Sequence, residues 1–189
     1  MAVSQPTTAK TDQAASQIHY SLPYDQIPPL PADMDTIPKV FVKSAGEYSH
    51  RIAMRKKRYG IWQEYTWAQS LEYVKHFCLG MVSLGLEHGQ RVAIIGENDP
   101  EFYWSEIATH CAGATSVAIF TDAGPEELFY IVDNSQATFL IAHDQEQVDK
   151  ALYLRERLPN MRSIIYWDDR GLWNYDDEGL ICFDEVEAM

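Results

Sequence analysis

The residues best able to do chemistry stand directly after apolar runs. In RVAIIGENDPEFYW, Arg91 to Trp104, a strand-like run passes through a short turn into the start of a helix. In α/β proteins such a turn often holds phosphates, because free backbone N–H groups and the helix dipole face the anion there. A dinucleotide turn needs further glycines for close approach, and here Gly96 is followed by Glu97, Asn98 and Asp99. Their carboxylates would repel a pyrophosphate while suiting the positive end of a helix. Asn98 with Glu101 makes a capping-box pattern, and Pro100 fits the first turn, so the stretch reads as a structural cap.

Three aspartates, Asp122, Asp144 and Asp168, also follow apolar runs, on the edge where open α/β sheets place their sites. Phosphoacceptor domains gather aspartates there, but they also need a lysine after a late strand, which is missing. Capping and turn roles are the better reading, with Asp144 and Gln147 repeating the capping pattern. Five of the 15 basic residues fall in RIAMRKKR, Arg51 to Arg58, which reads as the solvent-facing side of a hairpin strand rather than an anion site. His110 and Cys111 are adjacent and so point in different helical directions, which argues against a metal site. The sequence holds no GxSxG elbow, HExxH, Walker loop or EF-hand pattern. Neither a catalytic group nor a metal ligand is assigned.

Composition narrows the classes further. With 46% hydrophobic and 12% aromatic residues, a chain of 189 residues has ample material for a core. The net charge of -13 excludes a nucleic-acid partner, since phosphate recognition needs a basic surface. Cys78, Cys111 and Cys182 are odd in number and far apart, which points to a reducing cytoplasm. No apolar stretch approaches the roughly 20 residues of a membrane span, and peripheral membrane contact is left open.

These residues need elements to position them. Residues 1–35 are polar and then proline-dense, ending in SLPYDQIPPLPADMD, and read as a tail or as a clamp for a second subunit. Residues 37–46 form a helix with Ile37, Val40, Phe41 and Ala45 on one face. RIAMRKKRYGIWQEYTW is an antiparallel hairpin turning at Tyr59 and Gly60. Thr66 and Gln69 then box the start of a helix whose stripe is Leu71, Val74, Phe77, Cys78, Met81 and Leu84, ending at Gly85. After it, the strands RVAIIG, TSVAIF, TFLIA and SIIYW alternate with helices at 100–112, 125–133 and 145–158. The expected fold is α/β, with a parallel sheet of about four strands covered by helices on both faces. The segment from Asp168 turns acidic and irregular, and Phe183, Val186 and Met189 begin an amphipathic helix.

Taken in order, GIWQEYTWAQ, LGLEHGQRVAIIGENDPEFYW, GATSVAIFTDAGPEEL and YIVDNSQATFLIAHD resemble the amino-terminal part of the adenylate-forming acyl-CoA synthetases. The likeness runs over about residues 37–189 and is nearest the long-chain fatty acyl-CoA synthetase branch. It implies a first α/β subdomain, residues 36–189, of a larger enzyme. That enzyme would join fatty acid and ATP into an acyl-adenylate, which coenzyme A then converts to the thioester. The family's phosphate loop, its adenine and Mg2+ motifs and its catalytic lysine have no counterpart here, so the chain alone is expected to be inactive and to bind ATP, Mg2+ and CoA weakly. By resemblance, Phe120 would stack on the coenzyme A adenine and Lys150 would meet its ribose phosphate, although Asp144 and Asp149 stand near Lys150 in sequence. The rival reading is a free-standing binding or regulatory module that uses the fold without catalysis.

Overall fold

Seven strands and six α-helices follow one another among the described residues, 29–189, of the computed structural model. They are α1 (Ile37–Glu47), β1 (Ile52–Arg58), β2 (Ile61–Thr66), α2 (Trp67–Ser83), β3 (Arg91–Ile95), α3 (Pro100–Cys111), β4 (Thr115–Ile119), α4 (Pro125–Ser135), β5 (Phe139–Ala142), α5 (Gln145–Leu154), β6 (Ser163–Tyr166), β7 (Leu180–Cys182) and α6 (Phe183–Glu187). The proline-rich tail or clamp expected at residues 1–35 lies mostly outside the described residues. Its last residues, from Ala32, belong with α1, where Lys39 Nζ donates to the Ala32 carbonyl and pairs with Asp35 at 2.6 Å.

β1 and β2 form the expected antiparallel hairpin. Its two-residue turn needs positive φ at both positions, and Tyr59 (50°) and Gly60 (79°) supply it. Thr66 then caps α2 in a complete capping box with Gln69. The stripe on α2 buries Val74, Phe77 and Met81, while Leu71, Cys78 and Leu84 are half-buried. On α1 only Phe41 and Ala45 of the expected face are buried; Ile37 and Val40 are exposed because this marginal helix meets the core along a single line.

The parallel sheet has five strands rather than four, in the order β4-β3-β5-β6-β7. The fifth, β7, pairs Leu180 with Ile164 and Cys182 with Tyr166. It spans three residues inside an acidic stretch, too short for an apolar run to announce it. Alternation along the strands divides the core. Val92, Ile94, Phe139, Ile141 and Ile165 face a layer made by Phe41, Phe77, Trp104, Phe183 and their neighbours on α1, α2, α3 and α6. Ala93, Ile95, Leu140, Ala142 and Ile164 face Leu128, Val132, Val148 and Leu154 on α4 and α5. Helices therefore cover both faces, as a parallel sheet requires. Because the chain leaves β3 for β4 and then returns past β3 to β5, the order reverses between β3 and β5. Open α/β sheets bind ligands at the carboxyl ends of such a pair.

Candidate functional site at the carboxyl edge of the sheet

At that reversal the hairpin leans over the strand ends and encloses a crevice of about 280 Å³ lined by Lys56, Asp99, His143, Trp167 and Asp168 among others. Asp99, not Asn98, is the N-cap residue of α3, and its side chain makes no capping bond. Its Oδ2 instead meets Lys56 Nζ at 2.8 Å, the Trp167 indole N–H at 3.3 Å and His143 Nε2 at 3.3 Å. A cap bond contributes about 1 kcal/mol, and three long-range partners at a site mostly shielded from water outweigh it. The capping-box pattern at Asn98 and Glu101 is thus not used. Glu101 also binds Lys56, at 3.3 Å.

Lys56 is correspondingly not on the solvent side of the hairpin, where the charge run placed it. Met54 and Lys56 face inward, while Arg55 and Lys57 between and beside them are exposed. Burial works against the Lys56 charge, but Asp99 and Glu101 more than offset it and hold the ammonium above the ordinary lysine range. Period-two alternation through MRKKR could have singled out Lys56. The Trp167 ring stacks on His143, with centroids 5.0 Å apart, and presses on the backbone at Gly96. A Cβ at Gly96 would collide with Trp167 Cη2. The glycine of the turn therefore admits an indole, in the space where a dinucleotide turn would admit a phosphate. Beside it, Arg170 holds the Asp168 carboxyl below the usual carboxylate range, against the opposing effect of burial. Asp144 caps α5 by accepting from the Gln147 N–H, as its spacing predicts.

The end of β4 is different. Phe120 is 86% exposed and closes a groove of about 280 Å³ whose walls include Gly96, Asn98, Phe102, Glu106, Ala118 and Ile119. Lys150 reaches this end from α5: its Nζ donates to the Thr121 carbonyl at 2.9 Å, one residue beyond Phe120, and pairs with Glu146 at 2.9 Å. Neither Asp144 nor Asp149 is its partner among its hydrogen bonds and ion pairs. Thr121 Oγ1 donates to Glu97 at 3.2 Å, which joins the β4 end to the β3–α3 turn. Lys150 thus reaches the strand end that carries Phe120 but is not among the residues lining the Phe120 groove. Asp122 is exposed there, His110 Nε2 lies 3.0 Å from Ser116 Oγ, and Cys111 is exposed.

Comparison with known proteins places this architecture. Residues 41–179 match the family model described as AMP-binding enzyme. The chain is 26% identical over 162 residues to the long-chain-fatty-acid–CoA ligase ACSBG2 of Xenopus laevis, covering 86% of this chain and 21% of that relative. It is 28% identical over 134 residues to the human long-chain-fatty-acid–CoA ligase ACSBG1, covering 71% of this chain and 18% of the relative. The chain therefore spans about a fifth of the length of these relatives. Among solved structures, the anthranilate CoA ligase AuaEII in complex with anthranoyl-AMP superposes with a TM-score of 0.71 at 20% identity, over 88% of this chain and 30% of that one. Acetoacetyl-CoA synthetase from Streptomyces lividans gives 0.71 at 19% identity, over 80% and 25%.

Proposed function

This chain belongs to the AMP-binding enzyme family, and from that premise we propose that it forms the first α/β part of an ATP-dependent long-chain fatty acid–CoA ligase. The observation that carries the reading is the family match over residues 41–179, joined to relatives named as long-chain ligases across 86% and 71% of the chain. In the whole enzyme a fatty acid and ATP, with Mg2+, give the acyl-adenylate and pyrophosphate. Coenzyme A supplies the thiol that displaces AMP and forms the thioester. None of the residues described above is assigned to ATP or Mg2+, and the chain alone is proposed to be inactive.

Its contribution to the cleft is the end of β4. Phe120 presents an open aromatic face to an adenine ring. Lys150, 17% exposed at the side chain, is anchored to the Thr121 carbonyl at the same strand end, and a phosphate would have to displace the exposed Glu146 carboxylate to reach its charge. The three free cysteines fit a reducing cytoplasm. No helix among the described residues is long and apolar enough to cross a membrane. A second copy held through residues 1–35 would be revealed by size exclusion of the enzyme with and without that segment, and an unchanged dimer would remove the clamp.

The test is thioester synthesis from a long-chain fatty acid, ATP and CoA. The whole protein should form acyl-CoA and release AMP and pyrophosphate, and residues 1–189 alone should form none. A whole protein that activates no fatty acid would overturn the reading.

A further inference from the structure

The β3–α3 turn, residues 96–99, is a partition between the two cavities. Glu97 and Asp99 line the crevice, while Gly96 and Asn98 line the groove beneath Phe120. The contacts of Asp99 and the packing against Gly96 act from the crevice side. Lys56 brings the hairpin to Asp99, His143 ties it to the end of β5, and the Trp167 indole both bonds Asp99 and fills the space over Gly96. Glu97 carries the connection onward to Thr121, and Thr121 in turn receives Lys150. On the groove side, by contrast, the polar contact of Asn98 is one long bond from the exposed Tyr103 hydroxyl, 3.4 Å.

We infer that Asp99 is a positioning residue, which sets the geometry of the Phe120 groove by holding the β3–α3 turn from the opposite side. The inference rests on the reading of the Phe120 end as the coenzyme A seat only for its consequence in binding; the mechanical coupling stands by itself. Physically, the turn is short and enters a helix at Pro100, so a displacement of Asp99 carries Asn98 with it. A carboxylate that capped its own helix would fix the turn only locally. One that collects partners from β1, β5 and the end of β6 makes the groove wall depend on where the hairpin sits. Coupling through such a network is a free-energy statement and needs a measurement at the far site.

The experiment uses the intact chain in two variants, Asp99→Asn and Lys56→Met. The first keeps the shape of the side chain and removes its charge, and the second leaves Asp99 with His143 and Trp167. Amide hydrogen exchange is followed residue by residue, with Trp167 fluorescence reporting on the crevice. The expected result is about tenfold faster exchange at residues 118–121, which do not touch Asp99, while the core of β5 and β6 keeps its protection. Lys56→Arg, which retains the charge, should restore slow exchange. Faster exchange confined to the direct partners of Asp99 would overturn the inference, as would faster exchange spread evenly over the chain, which marks ordinary destabilisation. Titration with coenzyme A forms a separate arm. A wild-type chain that fails to bind it counts against the coenzyme A reading and leaves the exchange result to decide the coupling.

Discussion

Two cavities of about 280 Å³ flank one turn at the carboxyl edge, and they are built in opposite ways. The crevice between the ends of β3 and β5 is where an open sheet would be expected to bind its ligand, yet this chain has closed it on itself. Lys56 is matched by Asp99 and Glu101, Arg170 by Asp168, and an indole occupies the space above Gly96. The end of β4 leaves a large aromatic ring in water, with Lys150 bound to the carbonyl of the next residue, Thr121. Stability is invested in the first region and accessibility is kept in the second. Location at a topological switch point is therefore not sufficient to identify a site; Lys56 and Lys150 both have partners, and the difference between the two regions is the exposed Phe120 ring.

The contrast can be broken by substitution, beginning with the largest effect. Asp99→Ala leaves Lys56 short of its nearest partner at a position only 21% exposed. It should cost about 2–3 kcal/mol of unfolding free energy, measured by urea denaturation. Gly96→Ala forces Trp167 off the turn and should cost about 2 kcal/mol, with a changed Trp167 emission as its signature. Lys150→Ala loses the bond to the Thr121 carbonyl and should cost about 1 kcal/mol, together with affinity for coenzyme A in the whole enzyme. Phe120→Ala should alter stability by no more than about 0.5 kcal/mol, since the ring is already solvated, while reducing coenzyme A binding. If Phe120→Ala proved as destabilising as Asp99→Ala, the two regions would not differ as described.

Acid sharpens the same comparison. Arg170 lowers the pKa of Asp168 in the folded chain, so the stability from this pair is present above the ordinary carboxylate pKa of 3.8 and lost as pH falls through the folded value. Asp168→Asn should therefore flatten the acid limb of the stability curve, and an acid limb left unchanged by it would contradict the pairing with Arg170.

Much of this was legible in the sequence. Alternating apolar strands and helices gave the doubly covered parallel sheet, and the Thr66–Gln69 box and the Tyr59–Gly60 turn stood at their predicted places because their signals are local. β7 was not legible, since a three-residue edge strand is stabilised by its neighbour β6 rather than by its own pattern. The role of Asp99 was also hidden. The sequence around it favours a helix cap, and its actual partners lie 43, 44 and 68 residues away, on elements whose approach only the fold decides. Phe120 was singled out only by resemblance, and nothing in its own sequence neighbourhood distinguishes it from a core residue.

The most direct test of the account is an NMR titration of residues 1–189 with coenzyme A, following backbone amides. The account predicts the largest shifts at Phe120, Thr121 and Lys150, diminishing through Glu97 towards Trp167. Largest shifts at His143, Trp167 and Lys56, with Phe120 unmoved, would contradict it and make the crevice the binding site.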